Sequence, residues 1–167
     1  MLLKDTSRRF DPVPEGLYAA VAVDVVDLGL TETPWGPKPK LQITWELDLI
    51  NPQTQRRYIL ARWFGANLSE KGALRPFLEA WRGKKFTREE LAGFDPEILV
   101  GVNCQIQVVH KIKDDGQVTS QVQAIVGAPR GVPKIHPSKE FVRVKDRPDR
   151  PVASDAHTGD DDESVPF

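Results

Sequence analysis

From Leu41 to Leu49 every second residue is apolar: Leu41, Ile43, Trp45, Leu47 and Leu49 alternate with Gln42, Thr44, Glu46 and Asp48. A helix would scatter that set around its axis, whereas a strand puts all of it on one face. The stretch therefore reads as a half-buried strand with Trp45 turned to a core. Whatever else the chain does, it has to build a sheet around this element.

The flanks supply partners. Leu17 to Leu28, LYAAVAVDVVDL, is rich in Val and ends at Gly29, which reads as a first, buried strand. Thr31 to Pro39, TETPWGPKP, holds Pro34, Pro37, Pro39 and Gly36, so residues 29–39 are expected to be a loop that presents Trp35. Asn51-Pro52 opens a turn into a third strand, Arg56 to Gly65, hairpin-paired with the second. Its facing is ambiguous, because Ile59, Ala61 and Trp63 form one set and Tyr58, Leu60, Arg62 and Phe64 the other. One of Trp63 and Phe64 has to face away from the core.

Then the period changes. Ala73, Leu74, Phe77, Leu78 and Trp81 recur at helical spacing, with Asn67 or Ser69 as candidate cap, Pro76 in the first turn or two and Gly83 as a stop. Thr87 and Glu90 form a capping-box pair for a second short helix, and Asp95-Pro96 begins another turn. Alternation returns from Val102 to Ile112, and Asp115-Gly116 turns the chain into a fifth strand, Val118 to Val126.

The termini are of another kind. Residues 1–15 are polar and read as a loose lead-in. Residues 128–154 hold five prolines among Lys, Arg and Ser and read as an extended linker, with a short strand conceivable at Phe141 to Val144. Residues 155–167 are acidic and expected to be disordered. Residues 1–150 carry all 23 Lys and Arg and 19 of the 24 acids, a net charge of +4, while residues 151–167 carry five acids and no base. A mildly basic body with an acidic tail points to a nucleic-acid partner for the body and a masking or protein-binding role for the tail.

The order of three strands, a helical connection and two strands is that of a mainly β, five-stranded OB-type barrel, here expected over residues 16–127. In that fold the loops after strands one and four and the face of strands two and three bind oligonucleotides. The segment Asp160-Asp161-Asp162-Glu163-Ser164-Val165-Pro166-Phe167 resembles the acidic tip of bacterial single-stranded DNA-binding proteins, an aspartate run followed by a small hydrophobe, Pro and Phe. ETPWGPKPKLQITWEL, together with LRPFLEAWRGKKFT, is similar to phage or prophage single-stranded DNA-binding proteins of OB type. The resemblance implies a non-catalytic protein that coats exposed strands during replication or recombination. It also implies recruitment of replication or repair proteins through Asp160, Asp161, Asp162, Glu163, Val165, Pro166 and Phe167.

Binding a strand without regard to sequence requires cations that track phosphates and exposed rings on which bases stack. Trp35 is the first aromatic candidate, since no strand or helix face in its Pro and Gly context obliges it to be core. The outward member of Trp63 and Phe64 is the second, with Arg62 beside it, and Tyr18 the third. Lys38, Lys40, Arg56, Arg57, Arg62, Lys111 and Lys113 are the cation candidates, and Arg130, Lys134, Lys139, Arg143, Lys145, Arg147 and Arg150 could extend the site. Trp45, Phe77 and Trp81 belong to apolar faces and are expected in the core.

Other classes are disfavoured. There is no phosphate-binding loop, nucleophile elbow or zinc-protease helix motif, and His110, His136 and His157 are scattered, so neither an enzyme nor a metal or cofactor is expected. Asp24, Asp27, Glu46 and Asp48 could gather magnesium but read equally as a hairpin's polar face. Cys104 is alone, and no apolar run is long enough for a signal peptide or a membrane span, so a cytoplasmic address is expected, that of the host if a phage encodes the chain. An OB-type adaptor for proteins and an RNA-binding module remain as alternatives, and a homo-oligomer is compatible with the DNA-binding reading.

Overall fold

The computed structural model describes residues 12–148. They form a mainly β fold: β1 (Gly16–Thr33), β2 (Gly36–Asn51), β3 (Arg56–Gly65), α1 (Leu74–Arg82), α2 (Arg88–Ala92), β4 (Asn103–Ile112) and β5 (Val118–Gly127), with a 3-10 turn at Pro96–Leu99. The strands make one antiparallel sheet in the order β3-β2-β1-β4-β5. β1 holds it together, pairing β4 with its first residues, Gly16 to Val21, and β2 from Ala20 to Thr33. The two edge strands are not paired with each other, but they come close, and there the Arg62 guanidinium donates to the Val122 carbonyl at 3.4 Å.

The expected loop at 29–39 is instead the outer end of a long β-hairpin. Thr33 pairs with Gly36, and only Pro34 and Trp35 form the turn. Prolines at 37 and 39 fit the ladder because antiparallel residues alternate between facing their partner and facing away. The Pro39 carbonyl accepts from Ala66 N at 2.9 Å, on the side away from β1, so the missing N–H of Pro39 is not needed by β1. Gly29 does not end the strand either. It takes φ +66° at a bulge between Asp27 and Gly29, and its amide donates to Asp27 Oδ1 at 2.8 Å.

The core lies on one face of β2. Leu41, Ile43, Trp45 and Leu47 are buried as their alternation requires, with Phe64 and Leu60 of β3 beside them and Leu74, Phe77, Leu78 and Trp81 of α1 over them. Trp45 sits between the rings of Phe77, 5.8 Å away, and Trp81, 6.1 Å away. A Trp→Ala change at so filled a site costs about 3–5 kcal/mol. Trp81 Nε1 donates to the Asn103 carbonyl at 3.0 Å, and a Cβ at Gly127 would lie 3.0 Å from the Trp81 carbonyl, so glycine lets β5 pass close by the end of α1 without displacing it.

Local signals hold in part. Gly83 caps α1 with φ +75°, and Thr87 and Glu90 make the full capping box. Neither Asn67 nor Ser69 caps α1, however. The helix starts at Leu74 after Ala73, with no side-chain cap, and Asn67 Oδ1 accepts from Ser69 N instead. Asp95 caps the 3-10 turn by accepting from Glu97 N at 2.9 Å.

Both described ends are tied down more than expected. In the lead-in, Val13 is buried in the core cluster, and its carbonyl contacts His110 Nε2 at 2.7 Å and accepts from Ser120 Oγ at 3.2 Å. The stretch 133–147, expected to be a free linker, folds back as an arm across the sheet. Asn103 exchanges two hydrogen bonds with the Ile135 backbone at 2.8 and 2.9 Å. Ser138 donates to both Glu46 oxygens, and Arg143 and Val144 N hold the two Asp24 oxygens. Phe141 to Val144 is no strand, and a short 3-10 turn, Val144–Asp146, follows. The acidic tail and its Asp160–Phe167 tip lie outside the described residues.

Candidate nucleic-acid interface

Residues directly opposite one another in an antiparallel ladder share a face. On the face opposite the core, the registers give successive rows: Thr31 with Lys38; Gly29, Lys40 and Gly65; Val26, Gln42 and Trp63; Asp24, Thr44 and Ala61; and Glu46 with Ile59. Lys38, Lys40 and Trp63 therefore point to the same side. Two residues along a strand span about 6.8 Å, and neighbouring strands lie about 4.8 Å apart, so the three form one compact group.

The ambiguity of β3 is resolved: Trp63 is 61 % exposed and Phe64 only 3 %. Phe64 thus leaves the set of candidate base-stacking rings. Its ring packs 4.8 Å from Phe77, and the strand's two-residue period obliges its neighbour Trp63 to face solvent. Trp35, at the hairpin turn, is 84 % exposed, with its amide fixed to Thr33 Oγ1 at 3.2 Å. Neither exposed indole serves the core, and both are available for stacking.

The structure withdraws two of the expected cations from solution. Arg62 lies over the rings of Phe64 and Phe77, 4.8 and 5.0 Å from their centroids, and bridges to β5. Burial lowers its pKa from the ordinary guanidinium value, as expected of a side chain used for packing. Arg57 is bound to the His136 carbonyl at 2.6 Å and approaches Glu46 at 3.5 Å. Tyr18 is half-buried, packed against the core, and its hydroxyl donates to the Pro14 carbonyl at 2.6 Å. All three are better explained as structural residues. Lys111 and Lys113 are exposed in the β4–β5 hairpin, but that hairpin extends past the Gly16 end of β1, away from the Trp35 end, and Asp114 and Asp115 flank Lys113.

Two buried acids shape the charge of this face. Asp24 and Glu46 lie on it, and both are covered by the arm. Arg143 is shared between Asp24, at 2.9 Å, and Glu97, and its pKa is raised, first by the hydrogen bond to Glu97 and further by the one to Asp24. Glu46 is satisfied by Ser138, with Arg57 nearby. The rows from Thr31 to Trp63 that remain open carry two lysines, and the acid nearest them, Asp27 at the bulge, accepts from the Gly29 amide.

The sequence reading missed this arm. The signal that could have found it was the placement of Asp24 and Glu46 within Val- and Leu-rich strands, where a buried carboxylate needs a donor from elsewhere in the chain. No protein-family model and no curated protein matches the chain.

Proposed function

We propose that this chain is a single-stranded DNA-binding protein of OB type, its five-stranded sheet forming a barrel in which the unpaired edge strands β3 and β5 are joined by contacts such as that of Arg62 with the Val122 carbonyl. The observation that carries the reading is the grouping of Lys38, Lys40 and exposed Trp63 on one stretch of sheet, next to the Trp35 turn. A strand laid along this stretch meets lysines for its phosphates and indole faces for its bases, contacts that do not depend on base identity. The face is that of strands two and three, and the turn after strand one borders it, as in OB proteins that bind oligonucleotides.

No catalytic role is proposed. The chain coats strands exposed in replication or recombination, in a cytoplasm, and its Asp160–Phe167 tip recruits replication or repair proteins. The tip's carboxylates would meet basic residues on the partner and Phe167 an apolar pocket. Titration of the purified protein with oligo-dT, followed by Trp fluorescence, tests the reading. Quenching that is lost in a Trp35→Phe/Trp63→Phe double variant supports it; Trp45 and Trp81 are buried and remain as the unquenched background. An RNA oligomer of equal length separates DNA from RNA preference, and absence of quenching with either would point to a protein adaptor.

A further inference from the structure

Where the arm crosses β3 it leaves an open cavity of about 210 Å³. Its apolar walls are Ile59 from the sheet and Phe141 and Val142 from the arm, with Arg56 and Arg147 at its rim. We propose that this cavity is a nucleotide subsite, taking one base of a bound strand between Ile59 and Phe141 and its phosphate at Arg56 and Arg147. The proposal rests on the single-stranded DNA reading above and extends the site beyond the lysine and indole group.

Three observations carry it. First, the volume lies below the roughly 300 Å³ at which sites for drug-sized ligands begin, and suits a single planar ring. Second, the cavity continues the open face. Ile59, Ala61 and Trp63 alternate along β3 on the same side, and all three are exposed, Ile59 by 50 %. Ile59 is four residues from Trp63, about 13 Å along the strand, which is about four nucleotides at a stacked spacing of ~3.4 Å and fewer when the strand is extended.

Third, the charge at the rim can be released to a phosphate. Arg56 meets Glu140 at 3.6 Å, with both side chains more than half exposed, and such pairs are held weakly. Arg147 lies 5.8 Å from the Phe141 ring centroid and donates through Nε to the Val142 carbonyl, which leaves the rest of its fork for an anion. Glu46, the other acid of the cavity, already accepts from Ser138 and approaches Arg57.

Two variants that keep the charge, Ile59→Gln and Phe141→Leu, test the subsite in the full chain, with unchanged circular dichroism and melting confirming the fold. Affinity is measured for oligo-dT of about 4 and about 12 nucleotides, within the range of OB site sizes. The wild type should gain affinity on the longer oligomer, and each variant should lose roughly 10-fold on the longer one while binding the shorter as before. Wild-type binding at both lengths with no loss in either variant overturns the subsite and leaves the single-stranded DNA reading standing. No wild-type binding at either length overturns both. Should Phe141→Leu not fold, Ile59→Gln decides alone, because the Ile59 side chain is half exposed and lies outside the buried core.

Discussion

The arm can be tested at Arg143, whose guanidinium joins Asp24 to Glu97. Asp24 is almost completely buried, with its side chain 2 % exposed, and its two oxygens are satisfied by Arg143 Nε and Val144 N, each at 2.9 Å. Arg143→Ala removes the only countercharge shown for that carboxylate among the described residues. Removing one member of a buried pair costs about 3–5 kcal/mol. Arg143 is itself 19 % exposed, and water entering its place would offset part of this, so we expect about 2–3 kcal/mol. In two-state unfolding a loss of that size appears as a lower urea midpoint at unchanged slope. Asp24→Asn in the Arg143→Ala background should recover part of the loss, because the amide needs no countercharge, giving a coupling energy of about 1–3 kcal/mol. If the arm instead detaches at no cost, Arg143→Ala will melt like the wild type and the cycle will show additivity. Either result would refute the view that the arm is a fixed part of the fold. The same variant carries a functional consequence: a bared Asp24 on the binding face should weaken oligo-dT affinity, and Asp24→Asn should restore it.

Further outcomes concern separate parts of the molecule. Neutralising Lys38 and Lys40 together as glutamines should flatten the log-log salt dependence of oligo-dT binding by about 0.7 per lysine, read from titrations at several salt concentrations; an unchanged slope would remove both from the interface. The Glu90 carboxyl is held down to about 2, first by its hydrogen bond from Arg82 and then by the Thr87 backbone. Because the folded value lies below the ordinary 4.5, the resulting stability is present above that pH and is lost as the pH falls towards 2. Glu90→Gln should therefore flatten the melting temperature across that window, in scans from pH 5 downward. Burial pushes the Cys104 thiol upward, and its Sγ faces the Ala20 carbonyl at 3.7 Å. A thiol reagent should label it only as fast as the protein opens, so labelling should accelerate in step with urea-driven unfolding.

The parts of the fold legible in the sequence are those set by local periodicity. The alternation of Leu41 to Leu49 fixed a face before any partner was known, and Thr87 with Glu90 specified a cap three residues wide. What escaped depends on neighbours distant in the chain. Pro37 and Pro39 looked like breakers because their missing amides matter only if a partner strand lies on that side, and β1 lies on the other. The facing of β3 could not be read because both of its residue sets carry an aromatic, and only α1 packing against Phe64 decides between them. The arm was invisible for a related reason. A segment rich in Pro and Lys has no periodicity of its own, and its course is set by Asp24, Glu46 and Asn103, at least 32 residues away along the chain. Of the expected DNA contacts, Trp35, Trp63, Lys38 and Lys40 are brought to one region, whereas Phe64, Arg62, Arg57 and Tyr18 are spent on packing and internal hydrogen bonds.

The claim on which the rest depends is that the exposed Trp63 face receives an unpaired strand. Its most direct measurement is the dissociation constant of Trp63→Ala for oligo-dT, beside that of the wild type, at fixed low salt. Loss of one base stack, worth about 1–3 kcal/mol, predicts roughly 5- to 150-fold weaker binding with an unchanged melting temperature. Equal affinities for the two proteins, or no binding by either, would contradict the account.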